Sequence, residues 1–146
     1  MYHHILIPTD GSSLSAHAVE QALTLAKSVQ ATTTVLTVLN PFHAFAMTPE
    51  LIADTREQYE RQVRDQGARC LAAAEVVARA MGVPCDTAMV EHELPYEAII
   101  ETARERGADL IAMASHGRRG LSALVLGSET LKVLTHSNIP VLVFRK

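Results

Sequence analysis

The densest concentration of chemistry in the chain is Ser115-His116-Gly117-Arg118-Arg119-Gly120, followed by Gly127-Ser128. Gly117 and Gly127 have no Cβ and let the backbone approach a ligand, and Gly127-Ser128 stands where a following helix turns its first amides outward. Free amides, a helix N-terminus and two arginines together make an anion site, with phosphate as the natural ligand. The plainer reading of the same residues is that both glycines serve a tight turn.

Other chemistries fit less well. A hydrolase built from Asp10, Ser115 and His116 lacks the G-x-S-x-G elbow, and a histidine directly after a serine is expected to point away from it. A phosphoacceptor domain needs an aspartate after the third strand, where this chain has Glu91-His92-Glu93. A flavin carrier needs flanking aromatic rings, and the chain has no Trp and three Tyr. His3-His4 suggests metal, but neighbours on a strand point to opposite faces, so one outward and one covered histidine is expected. No Gly-x-x-x-x-Gly-Lys or Gly-x-Gly-x-x-Gly pattern is present.

Alternating elements must position these residues. Ile5-Leu6-Ile7 is a short strand ending at Pro8, and Ser12 or Ser13 can cap a helix carrying Val19, Ala22, Leu23, Ala26 and Val29 at spacings of three and four. Residues 32–39, rich in Thr and Val, form a second strand. The connection 41–49 carries Phe42, His43, Phe45 and Met47, more apolar bulk than a solvated loop has. A long helix is predicted over about 50–81, with Gly82 past its end and Gly67 as a candidate bend. Its pairs Glu57/Arg61, Glu60/Arg64 and Asp65/Arg69 at i,i+4 read as a solvated face. Residues 85–91 alternate as a third strand, Pro95 opens a helix ending at Gly107, and 109–114 form a fourth strand apolar on both faces. Ser128 can cap a last helix to about Thr135, and 140–144 close the chain as a fifth strand. Strands separated by helices imply right-handed crossovers, hence a single-domain α/β fold with a doubly wound five-stranded parallel sheet. Ligands of such folds sit beyond the carboxyl ends of the strands, which here means 8–13, 38–41 and 114–128.

Composition narrows the class. The 146 residues are 48% hydrophobic and 20% charged, enough for one core-bearing domain. Thirteen Lys and Arg against sixteen Asp and Glu give a net charge of −3, which argues against a nucleic-acid partner. Protonating all seven histidines would carry the charge to +4, so near pH 6 the chain approaches neutrality and becomes less soluble. The acids gather over 50–65 and 91–109, and 115–127 contains none, so an acidic chain carries a locally positive loop. Cys70 and Cys85 form no CxxC spacing and are expected as small buried apolar residues. No run approaches the ~18 apolar residues of a membrane span and none resembles a leader, so no membrane association and a cytoplasmic location are expected.

Taken together, the motifs resemble the universal stress protein family along nearly the whole chain. The resemblance rests on residues 5–12, the Pro95-Tyr96-Glu97-Ala98-Ile99-Ile100 helix start, 108–111, 115–121, Leu126-Gly127-Ser128 and 139–143. The ATP-binding branch of that family has the pattern Gly, two residues, Gly, nine residues, Gly, then Ser or Thr. Gly117 and Gly127-Ser128 match its later elements, and Ala114 stands in place of the first glycine. Its added methyl either crowds the ribose side of the site or is accommodated.

The resemblance implies a Rossmann-like, adenine-nucleotide-binding regulatory domain over 1–146, holding ATP or another adenine nucleotide with Mg2+ carried mainly by the phosphates. Asp10 would face the adenosine, where a carboxylate suits hydroxyl or amino donors. Val38 would offer backbone groups to the adenine edge, Pro8 and Thr9 would line the pocket, and Met113 and Ala114 would approach the ribose by their backbone. Gly117, Gly127, Ser128 and Glu129 would present amides to the phosphates, and Arg118 and Arg119 could add charge. No general base is legible beside a γ-phosphate, so at most slow ATP hydrolysis is expected. The short apolar last strand, a sheet edge, is expected to pair with its counterpart in a homodimer. The alternative is a dimeric interaction module of the same fold that binds no nucleotide; the regulatory protein partner is unknown.

Overall fold

The computed structural model of the chain describes residues 1–43, 48–117 and 125–145; Phe45, Met47, Arg118, Arg119 and Gly120 lie outside them. The elements are β1 (His4–Pro8), α1 (Ser13–Val29), β2 (Thr32–Leu39), α2 (Pro49–Met81), β3 (Cys85–Glu91), α3 (Pro95–Glu105), β4 (Leu110–Ala114), α4 (Ser128–His136) and β5 (Val141–Phe144). All the strands pair in parallel, in the order β3-β2-β1-β4-β5.

The apolar character of β1 and β4 follows from their central positions, since both faces are covered. On β1, Ile5 and Ile7 pack under α1 and α2 with Val19, Leu23, Leu71 and Ala78. Leu6, between them, enters the opposite cluster with Leu36, Ile99, Ile111, Met113 and Val133, beneath α3 and α4. Each such fully buried Leu or Ile contributes roughly 1.5–3 kcal/mol relative to exposure. The period of two along the strands therefore decides which helix pair each residue meets.

Three local readings change. Helix α2 runs unbroken through Gly67, where a Cβ would stand 3.1 Å from Leu39 and Met89 and 3.3 Å from Thr37. The glycine serves close packing of helix on sheet. Of the helical ion pairs, Glu57–Arg61 forms at 2.9 Å, but Glu60 turns back to Arg56 at 3.6 Å and Arg64 reaches Glu91 of β3 at 3.7 Å. Cys70 and Cys85 are free thiols, half-buried and not fully enclosed, and burial pushes the Cys85 thiol up. Among the described residues, no helix is long and apolar enough to cross a membrane.

The amino ends of the central strands are tied by a single carboxylate. Asp109 accepts from the His3 amide at 2.9 Å and the His4 amide at 3.0 Å, with the His3 ring at 3.2 Å. His3 is exposed, and His4 is half-buried between the hydroxyls of Thr32 and Thr34 at 2.6 and 2.8 Å, the outward-and-covered pair expected. Burial raises the Asp109 pKa, but the His4 and His3 amides outweigh it and hold the carboxyl below its ordinary value. A lowered carboxylate pKa contributes stability above the unfolded value near 4 that is lost as pH falls through the folded value. Asp109→Ala is expected to lower stability by about 1 kcal/mol at pH 7, a modest figure because water screens this exposed carboxylate. Urea titrations of the two proteins should converge as the pH drops below about 4.

Candidate functional site

The helices leave the two central strands on opposite faces: α1 after β1 packs with α2, and α4 after β4 packs with α3. The crevice between β1 and β4 is thus the switch point of the sheet, where α/β folds bind ligands. The N-termini of α1 and α4 both open there.

At the first corner, Pro8 and Thr9 are buried, and the Thr9 amide donates to the Leu36 carbonyl at 2.8 Å. Gly11 has φ +80, a left-handed conformation that side chains resist, and the turn returns the Ser12 amide to Asp10 Oδ1 at 2.9 Å. Ser12 then caps α1, its hydroxyl accepting from the Ser15 amide at 3.2 Å. Asp10 is exposed, and its Oδ2 lies where a Cβ on Gly117 would collide with it. The two corners therefore touch across the crevice, through the residues singled out from the sequence.

At the second corner, neither Gly117 nor Gly127 has a positive φ. Both are glycines of close approach, Gly117 against Asp10 and Gly127 with its missing Cβ 3.0 Å from His116 Cα and Cβ. The Gly127 amide donates to the Ser115 carbonyl at 2.8 Å, and Gly127 takes the N-cap position with no capping side-chain hydrogen bond. Ser128, expected as the cap, is the first helical residue, exposed and presenting its amide at the helix start. Glu129 follows it, but its carboxylate turns away to α3, accepting from the Tyr96 amide at 2.9 Å with Lys132 at 3.7 Å.

Ala114 is buried at the end of β4. Its methyl packs with Leu14, Ala18 and Phe144, its carbonyl accepts from the Thr130 hydroxyl at 2.9 Å, and its backbone has no positive φ. Met113 lies in the cluster beneath α3 and α4, and Val38, half-buried, packs against that cluster at the end of β2. Arg118 and Arg119 lie outside the described residues.

Two further groups bear on chemistry. Ser115 Oγ lies 3.2 Å from His116 Nδ1, so the histidine does not point away from the serine as expected. Ser115 is nevertheless only 2% exposed, which keeps its hydroxyl from a substrate. Among the described residues, His92, Glu97 and Glu101 place ligand atoms within 4.8 Å of one another. The Leu94 amide donates to His92 Nδ1 at 2.9 Å, which leaves the proton of the neutral ring on Nε2, facing Glu97 at 3.8 Å. The group joins the end of β3 to the start of α3, and a cation at Nε2 would have to displace that proton.

Comparison with known proteins agrees with this architecture. The model of the universal stress protein family matches residues 1–145. The universal stress protein MJ0531 of Methanocaldococcus jannaschii is 32% identical over 146 residues, covering 100% of this chain and 84% of that one. The solved structure of the protein MJ0577, from the same organism, superposes with a TM-score of 0.84 at 25% identity, over 100% of this chain and 97% of the other. A universal stress protein solved in complex with cAMP superposes with a TM-score of 0.70 at 25% identity, over 99% and 97% of the two chains.

Proposed function

The chain belongs to the universal stress protein family, and from that membership we propose that it is a regulatory adenine-nucleotide-binding protein, holding ATP in the crevice between β1 and β4. The observation that carries this reading is the approach of the two corners, Asp10 against Gly117, beside a helix N-terminus with no capping side chain. Amides of Gly117, Gly127, Ser128 and Glu129 would hold the phosphates, with the field of α4 behind them. Asp10 would accept from hydroxyl or amino groups of the adenosine, and Val38 would meet the adenine edge. Pro8 and Thr9 form the floor, and Met113 and Ala114 approach the ribose by backbone alone. The packing of the Ala114 methyl on Leu14, Ala18 and Phe144 supports accommodation in place of the first motif glycine. Mg2+ would be carried mainly by the phosphates, and bound nucleotide would set a conformation read by a partner protein. At most slow hydrolysis accompanies this, because the Ser115–His116 contact beside the crevice is buried.

The purified protein, denatured and filtered, tests the reading: released ultraviolet absorbance near 260 nm is expected, and the absence of Trp keeps that signal clear. Its absence, together with no uptake of added ATP, would favour the alternative of a nucleotide-free interaction module. Either module is expected to be a homodimer through β5, an edge strand with Leu142 37% exposed. Light scattering after size exclusion should give twice the mass of one chain at micromolar concentration, and the mass of one chain would exclude pairing.

A further inference from the structure

We infer that Ser15 is a positioning residue of the nucleotide site, acting through the Asp10 carboxylate; the inference rests on the nucleotide reading above. Ser15 lies in the first turn of α1 and is 4% exposed, so its own hydroxyl is not a surface group open to ligand. That hydroxyl lies 2.9 Å from Asp10 Oδ1, 3.0 Å from Thr9 Oγ1 and 3.1 Å from the Ser12 carbonyl. Thr9 Oγ1 in turn accepts from the Gly11 amide at 3.3 Å and has the Cys70 thiol at 3.7 Å.

One direction of donation satisfies this chain. Ser15 has one proton, and the charged carboxylate is its strongest acceptor. Thr9 then donates to Ser15 Oγ and keeps its own lone pairs for the Gly11 amide and the Cys70 thiol. The series thiol, threonine, serine thus runs one way and ends on Asp10 Oδ1, which the Ser12 amide also holds. Two donors on a single oxygen fix both the rotation and the tilt of a short side chain, and they set where Oδ2 stands against Gly117. Without Ser15 the carboxylate keeps its charge but loses one of these two donors. Ligand binding then has to include the ordering of Asp10, which weakens affinity without removing a contact.

The test is calorimetric titration of ATP with Mg2+ into the wild type, Ser15→Ala, Asp10→Ala and the double variant, each checked for folding by circular dichroism. Ser15→Ala and Asp10→Ala should each weaken binding, by roughly 5- to 20-fold for the serine. The double variant should bind no more than about twofold weaker than Asp10→Ala, because the serine acts only through the aspartate. Ser15→Thr, which retains the hydroxyl, should bind within about threefold of the wild type. Should Ser15→Ala fail to fold, Ser15→Cys repeats the deletion with nearly the same volume and a weak donor, and a loss in the same direction is expected. Wild-type affinity in the serine deletion, or losses that multiply in the double variant, would overturn the role of Ser15 alone. A wild type that binds no adenine nucleotide would overturn the nucleotide reading, and this role with it.

Discussion

Gly117→Ala is expected to weaken ATP binding roughly 10- to 100-fold while leaving the protein folded. The backbone at Gly117 has no positive φ, so alanine fits it without strain, and among the described residues the new methyl meets the Asp10 carboxylate. That carboxylate is held by the Ser12 amide and the Ser15 hydroxyl at 2.9 Å each, so it cannot yield without losing both. The effect corresponds to displacing a charged hydrogen-bonding group, about 1.5–3 kcal/mol. Thermal melting should move little, because residue 117 is exposed and lies outside the core clusters. Unchanged affinity would mean that Asp10 and Gly117 meet for reasons unrelated to ligand.

Leu6→Ala has the largest expected effect on stability. Leu6 is fully buried in β1 and shares its cluster with residues of β2, β4, α3 and α4. Truncating such a residue removes apolar burial and leaves a cavity that a central strand cannot collapse to fill, at a cost of about 2–5 kcal/mol. In a domain of this size that is a fall in melting temperature of roughly 5–15 °C. A chemical denaturation midpoint that moves with an unchanged slope would confirm a cooperative loss, and a shift under 1 kcal/mol would contradict a core that runs through β1. The consequence extends to the site, because Thr9 and Asp10 continue β1 directly.

The fold was legible where side-chain type and period agreed. The strand 32–39 stands where its β-branched residues place it, and Pro49–Met81 starts one residue before the predicted helix and ends where Gly82, at φ +74, stops it. The cap of α4 was read one residue late. Serine is the better capper by propensity, but Gly127 has the extended backbone of an N-cap at φ −63 and ψ 154, and the helix begins after it. Arg64 was assigned to Glu60 from helical spacing, while its partner Glu91 comes from a strand that only the tertiary fold brings near.

The candidate site divides in the same way. That 8–13 and 114–128 would lie together beyond the strand ends was readable from the alternation of strands and helices. How they meet was not, since the contact of Asp10 with Gly117 and the burial of the Ala114 methyl depend on distances between remote segments. Ser15 was missed because it sits within a helical pattern as one polar residue among several. The signal was available in Ser12 and Ser15, three apart at a helix start, a spacing that lets one serine cap while the other faces back into the turn. His116 was expected to point from Ser115, but its Nδ1 lies 3.2 Å from the serine hydroxyl.

Titration of ATP with Mg2+ into the wild-type protein, freed of any retained nucleotide, bears most directly on the central claim. The account gives one saturable site per chain with micromolar or tighter affinity, a free energy of roughly −8 kcal/mol or better. Ala114→Gly should bind within about threefold of the wild type, because the methyl it removes lies among Leu14, Ala18 and Phe144. No heat from the wild type, with binding restored in Ala114→Gly, would show that the alanine closes the site and would contradict the account.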